Sequence, residues 1–176
     1  NSPVCSGTIL SLTASTITAA SSYSWTGPNS FSGSAQNPTI SSITTAGSGS
    51  YSVTATVPGC GISPAGIVSV TVNITPAAPS AGNNSPICSG TDLSLTASTV
   101  GGSTYSWTGP NSYSSASQNP AITAATTANT GSYSVTATEN GCTGPAATTS
   151  VTVNPIPSAP VAGSNSAVCE GATLSL

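Results

Sequence analysis

Along residues 49–56 the larger side chains Tyr51, Val53 and Ala55 alternate with Ser50, Ser52, Thr54 and Thr56. A period of two puts one row on the core face of a strand and the hydroxyls on its wet face. The same eight residues return at 131–138, 82 positions later, so the chain is a repeat and each further pattern can be read twice. Leu10, Leu12 and Ala14 alternate with Ser11 and Thr13, and Leu93, Leu95 and Ala97 do the same in the second copy; Leu174 and Leu176 begin it a third time. Tyr23 and Trp25, matched by Tyr105 and Trp107, mark a strand that Gly27-Pro28-Asn29-Ser30 ends with turn chemistry. A short strand around Ile40 or Ile122 follows Gln-Asn-Pro, and Val70 with Val72, or Val151 with Val153, closes the repeat.

Six or seven short strands at this spacing, with no helical period, predict an all-β chain of tandem antiparallel β-sandwiches. The expected units are 1–76, 77–157 and the opening of a third at 158–176, joined through proline-rich stretches at 74–79 and 155–160 that favour stiff, extended connections. The expected core is Trp25, Tyr51 and Val53, with Trp107, Tyr133 and Val135 in the second copy. Phe31 and Tyr113, which follow the turn, are expected to be the more exposed aromatics.

Composition narrows the chemistry. The chain has no Lys, Arg or His, three acidic residues and a net charge of -3. It therefore lacks the cations that hold phosphate, and nucleic acid is excluded as a partner. Low net charge and regular alternation argue against disorder. No apolar run is long enough for a membrane helix, and the phase of the repeats at both ends predicts a segment of a longer protein. Without His or a paired carboxylate, the many serines have no base to activate them, so an enzyme is not expected. Asp92, Glu139 and Glu170 are too scattered for calcium, and the five cysteines lack the close pairing of a zinc site. No cofactor is expected. Asn73-Ile74-Thr75 and Asn83-Asn84-Ser85 fit the glycosylation pattern, a chance match in so hydroxyl-rich a chain.

Gly7, Leu10, Leu12 and Ala14, then Trp25, then Tyr51-Ser52-Val53 resemble an immunoglobulin framework, with Ala14 and Val53 where antibody domains place their inter-sheet cysteines. The whole unit, with Pro-Val-Cys-Ser-Gly, Tyr-Ser-Trp-Thr-Gly-Pro-Asn-Ser-Phe, Gly-Ser-Tyr-Ser-Val-Thr-Ala-Thr and Gly-Cys, is similar to the Ig-like or PKD-like repeats of very large surface proteins exported by gliding-type Bacteroidota. The resemblance implies type IX secretion, an extracellular, cell-surface or released location, and roles as adhesin, filament stalk or spacer. Two function classes follow: a structural repeat giving reach and stiffness, whose partners are neighbouring repeats or copies of itself, and a module that binds surface glycans or another surface. Tyr23 with Trp25, and Tyr105 with Trp107, are the candidate sugar platforms, although a tryptophan at this strand position is more often core.

The cysteines allow two pairings. An exported chain should oxidise them, and the within-unit choice is Cys5 with Cys60 and Cys88 with Cys142, leaving Cys169 for an expected partner beyond the end. In an immunoglobulin-like sandwich, however, Cys5 and Cys60 lie at opposite ends of the unit, roughly 20 Å apart for a strand of six or seven residues, whereas bridged Cα atoms come within about 7 Å. The alternative expectation is a staple between neighbouring repeats, with Cys5 near Cys142 and Cys88 near the following repeat.

Overall fold

The computed structural model describes residues 1–163 and 169–173; the expected third-repeat strand at Leu174 and Leu176 lies outside them. Among the described residues strands dominate, with two short 3-10 turns. In the first repeat the strand Gly49–Val57 is central. It pairs antiparallel with Ser22–Gly27 on one side and with Gly61–Ile62 and Gly66–Val70 on the other. Phe31–Gly33 extends that sheet beyond Ser22–Gly27. Facing it, Leu10–Ser11 pairs with Thr39–Ile40, while Val4–Cys5 runs parallel to Val72–Asn73. The second repeat has the same set: Thr104–Gly109, Gly131–Glu139, Cys142–Thr143 and Ala147–Val151 in one sheet, and Leu93–Ala97 with Ala121–Ile122 facing it. This is the antiparallel immunoglobulin-like arrangement.

The alternating pattern fixes which row is buried. Trp25 lies opposite Val53 and Trp107 opposite Val135 across the central pair. Both tryptophans, Tyr51, Tyr133 and Val135 are fully buried. Two apolar clusters form, one per repeat, with no residue in common. Val53 departs from its counterpart: it is only half-buried and packs against the edge of its cluster.

Polar atoms in these cores are met locally, as burial requires. Tyr51 Oη donates to the carbonyl of Gly47 at 2.9 Å, and Tyr133 Oη to that of Asn129 at 3.0 Å, which is the tyrosine corner. Trp25 Nε1 donates to the Gln36 carbonyl at 3.3 Å and Trp107 Nε1 to that of Gln118 at 3.2 Å. Gln-Asn-Pro thus has a structural task beyond leading into a strand. The Gln36 side chain donates to the carbonyl of Ala14, and the Ala14 N–H donates to Asn37 Oδ1.

Phe31 and Tyr113, expected to be the more exposed aromatics, are half-buried where the tryptophans and corner tyrosines are fully buried. Each stands edge-on to the corner tyrosine, Phe31 to Tyr51 and Tyr113 to Tyr133, with ring centroids 5.6 Å apart in both pairs. The left-handed backbone at Asn29 and Ser30, and at Asn111 and Ser112, turns the chain back so that the next ring falls onto its own sheet. Gly27 and Gly109 make room, since a Cβ at either would collide with the tyrosine ring.

Candidate functional site: the junction between repeats

Three features of the sequence meet where the repeats join. Thr75 is tied to the first repeat, its N–H donating to Ser6 Oγ at 2.9 Å and its hydroxyl to the Ser6 carbonyl at 2.7 Å. Pro76 is buried, and its carbonyl sits so close over Gly144 that a Cβ there would collide with it. Only glycine at 144 permits that approach. The chain then reaches the second repeat as a strand. Ser98 N–H donates to the Ser80 carbonyl at 2.9 Å, and Ala81–Asn83 pairs antiparallel with Leu95 to Ala97. No free linker separates the repeats, because every stretch from Asn73 to Asn83 has a hydrogen-bonded or packed anchor within a few residues.

Two cross-repeat bonds close the junction beside this strand. Cys5 and Cys142 form a disulfide with Cα atoms 5.6 Å apart, and Asn73 Nδ2 donates to the Asn140 carbonyl at 2.9 Å. Val4–Cys5 is held against Val72–Asn73 at the end of the first repeat, and Cys142 begins the strand after the Glu139 hairpin of the second. The within-unit pairing of Cys5 with Cys60, and of Cys88 with Cys142, is therefore overturned in favour of the staple. Its physical reason is distance along the central strand, which runs nine residues from Gly49 to Val57 and separates the two ends of a repeat. Cys60, Cys88 and Cys169 are free and exposed within this chain.

Nothing else among the described residues resembles reactive chemistry, and no group of three or more metal-ligating side chains occurs there. The carboxylate of Asp92 accepts the Ala124 N–H at 2.9 Å, a structural use. Burial raises the phenols of Tyr51 and Tyr133 above their ordinary value; for Tyr133 the neighbouring Tyr113 adds to this and the bond to Asn129 opposes it. Among the described residues no helix is long and apolar enough to cross a membrane.

The first repeat carries a groove that is covered over in the second. It is open, holds about 420 Å3, and is lined by Ala14, Tyr23, Val53, Pro64, Ile67 and Val68 among others. In the second repeat the matching edge is covered by residues 76–83. Accordingly Tyr105 and Val135 are buried while Tyr23 and Val53 are half-buried. Trp25 is 1% exposed, so its ring forms the floor of this groove and offers no open stacking face. Sequence reasoning missed the strand Ala81–Asn83, whose Ala-Gly-Asn has no alternation to show; its signal was only the proline joint before it.

Comparison with known proteins places this geometry. Residues 76–155 match the family model described as Ig-like domain CHU_C associated. No curated protein matches the chain. Among solved structures, the mouse coronavirus receptor-binding domain complexed with its murine receptor is similar with a TM-score of 0.53 at 13% identity, over 86% of this chain and 96% of that one. Murine CEACAM1b gives 0.49 at 13% identity, over 87% of this chain and 95% of that chain. At 13% identity the first of these likenesses speaks for the fold alone.

Proposed function

Proceeding from the match of residues 76–155 to the CHU_C-associated Ig-like family model, we propose that this chain is a structural repeat of a long extracellular surface protein, an adhesin stalk or filament that gives reach and stiffness. In this reading 1–76 and 77–157 are successive units and 158–176 opens a third. The observation that carries it is the disulfide from Cys5 to Cys142, which ties two repeats across a joint already filled by a docked strand. A catalytic or signalling module has no need of such a joint, whereas a stalk must resist bending at each one. Disulfides persist in oxidising compartments, in keeping with a secreted, surface location. The absence of Lys and Arg removes every trypsin-type cleavage site, a useful property outside the cell. The family is typically non-catalytic, and no enzyme activity is proposed.

Small-angle scattering in solution tests this reading. A compact globule of 176 residues has a radius of gyration of about 16 Å, and the stalk reading expects a clearly larger value. That value should stay fixed in Cys5→Ser if the strand joint alone holds the angle, or rise in spread if the staple is needed. A radius near the compact value sinks the stalk.

A further inference from the structure

The disulfide from Cys5 to Cys142 spans 137 residues of sequence, and we infer that it carries pulling load past both cores and delivers it to one strand of the second repeat, residues 147–154. Tension applied at Asn1 has two covalent routes to Asn154. The backbone route runs through the whole of the first repeat and most of the second. The disulfide route crosses Cα atoms 5.6 Å apart and then follows the chain only from Cys142 to Asn154. Load falls on the route that becomes taut first, which is the shorter one.

The fold lays that short route almost straight. Gly131–Glu139 runs toward the junction, so Cys142, which follows it, sits against the first repeat. Ala147–Val151 pairs antiparallel with Gly131 to Val135 and therefore runs away from the junction, and Val153–Asn154 continues it. At the rise of a strand, residues 147–154 span about 25 Å. The strand is braced along its length. Asn83 Nδ2 donates to Thr149 Oγ1 at 2.7 Å and to the Ser150 carbonyl at 3.0 Å. The N–H groups of Ile87 and Ser89 donate to the carbonyls of Thr152 and Asn154, and Val153 N–H donates to Thr130 Oγ1 at 3.0 Å. A pull directed along the strand loads these bonds together and not one at a time.

Length decides how much a pull can do, because its work is force times the length gained. Through the disulfide only residues 142–154 can straighten, to about 40 to 45 Å at most, a gain of no more than about 20 Å. Without it the 137 residues between the two cysteines extend to about 450–490 Å. The same pull therefore does roughly twentyfold less work on the stapled chain. Trp25, Tyr51, Trp107 and Tyr133 all lie in the loop that bears no load. Reduction returns that loop to the line of force. A thiolate of a dithiol attacks one cysteine sulfur and expels the other cysteine; the dithiol's second sulfur then closes on its first and expels the attacked cysteine. The dithiol ends as a cyclic disulfide, and both cysteines end as thiols carrying its two protons.

This deepens the stalk reading and rests on it for its use, and the test separates them. In a Cys60→Ser, Cys88→Ser, Cys169→Ser background the chain is held by its two ends in an optical trap and pulled, beside the same chain with Cys5→Ser. At a force that opens Cys5→Ser in two long steps, the stapled chain should gain no more than about 20 Å beyond the straightening of its tails. Dithiothreitol is then added to the stapled chain at that constant force. Release should come in two steps totalling about 450–490 Å, one for each of the two separate cores, because both stayed folded behind the staple. This arm uses the stapled chain itself and stands whether or not Cys5→Ser folds. One immediate jump of the whole length means that the cores had already opened under load, and it overturns the inference. So does a stapled chain that lengthens as far as Cys5→Ser, or no release once thiol labelling shows the bond reduced. A single jump beside an extended scattering curve sinks the load path and leaves the stalk standing; two steps beside a compact curve do the reverse.

Discussion

Residues 10–16 and 93–99 are the same seven amino acids, Leu-Ser-Leu-Thr-Ala-Ser-Thr, yet they form different lengths of strand. In the second repeat five of them, Leu93–Ala97, are paired; in the first only Leu10–Ser11 are. Local propensity is identical, so the difference lies in the neighbour. Ala81–Asn83 lies beside the second copy and satisfies its edge, while the first copy has the groove. One missing strand also leaves Val53, Tyr23 and Ala14 half-buried where Val135, Tyr105 and Ala97 are buried. Strand length here is a property of pairing, as expected when β-propensity depends on context.

The largest effect expected on this comparison comes from the two tryptophans. Trp107→Ala and Trp25→Ala should each cost about 3 to 5 kcal/mol, the range for a buried large aromatic, measured by urea unfolding followed by circular dichroism. Both rings are buried to the same degree, so the open groove should not spare the first. A much smaller loss for Trp25→Ala would mean that the groove reaches the core and would return Trp25 to the sugar-platform reading.

A middle-sized effect is expected at Gly144. Alanine there meets the Pro76 and Ala77 carbonyls and should cost about 1 to 3 kcal/mol as overpacking. The amide of Ser98, which bonds the Ser80 carbonyl, should exchange hydrogen faster as the segment lifts. If Gly144→Ala leaves Ser98 protected, the strand is held from elsewhere and the contrast between the repeats loses its cause.

The smallest effect is shared by both repeats. Burial raises the pKa of Tyr51 and of Tyr133 from the ordinary 10.0. The folded state then holds these protons more tightly than the unfolded one. Their contribution is complete below a pH of about 10 and is lost as pH climbs from there through the folded values. Urea midpoints of thiol-blocked protein should fall on alkaline titration, and Tyr51→Phe with Tyr133→Phe should flatten that fall. A midpoint indifferent to alkali would mean that both phenols ionise as freely folded as unfolded.

The sequence by itself determined the strands whose two faces differ. Tyr51, Val53 and Ala55 against Ser and Thr, and Trp25 opposite them, need only the two-residue period of a strand and one wet face. The repeat at 82 positions then doubled every such reading. Only the tertiary structure decided the junction. Ala81–Asn83 shows no alternation because alanine, glycine and asparagine there are half-buried, and its strand exists through the edge it meets. Cys5 and Cys142 are 137 residues apart in sequence, and no local pattern brings them together. Distance along the central strand made the staple an option from sequence; the tertiary joint, with the Pro76 carbonyl over Gly144 and Asn73 bonded to Asn140, made it the bond that forms.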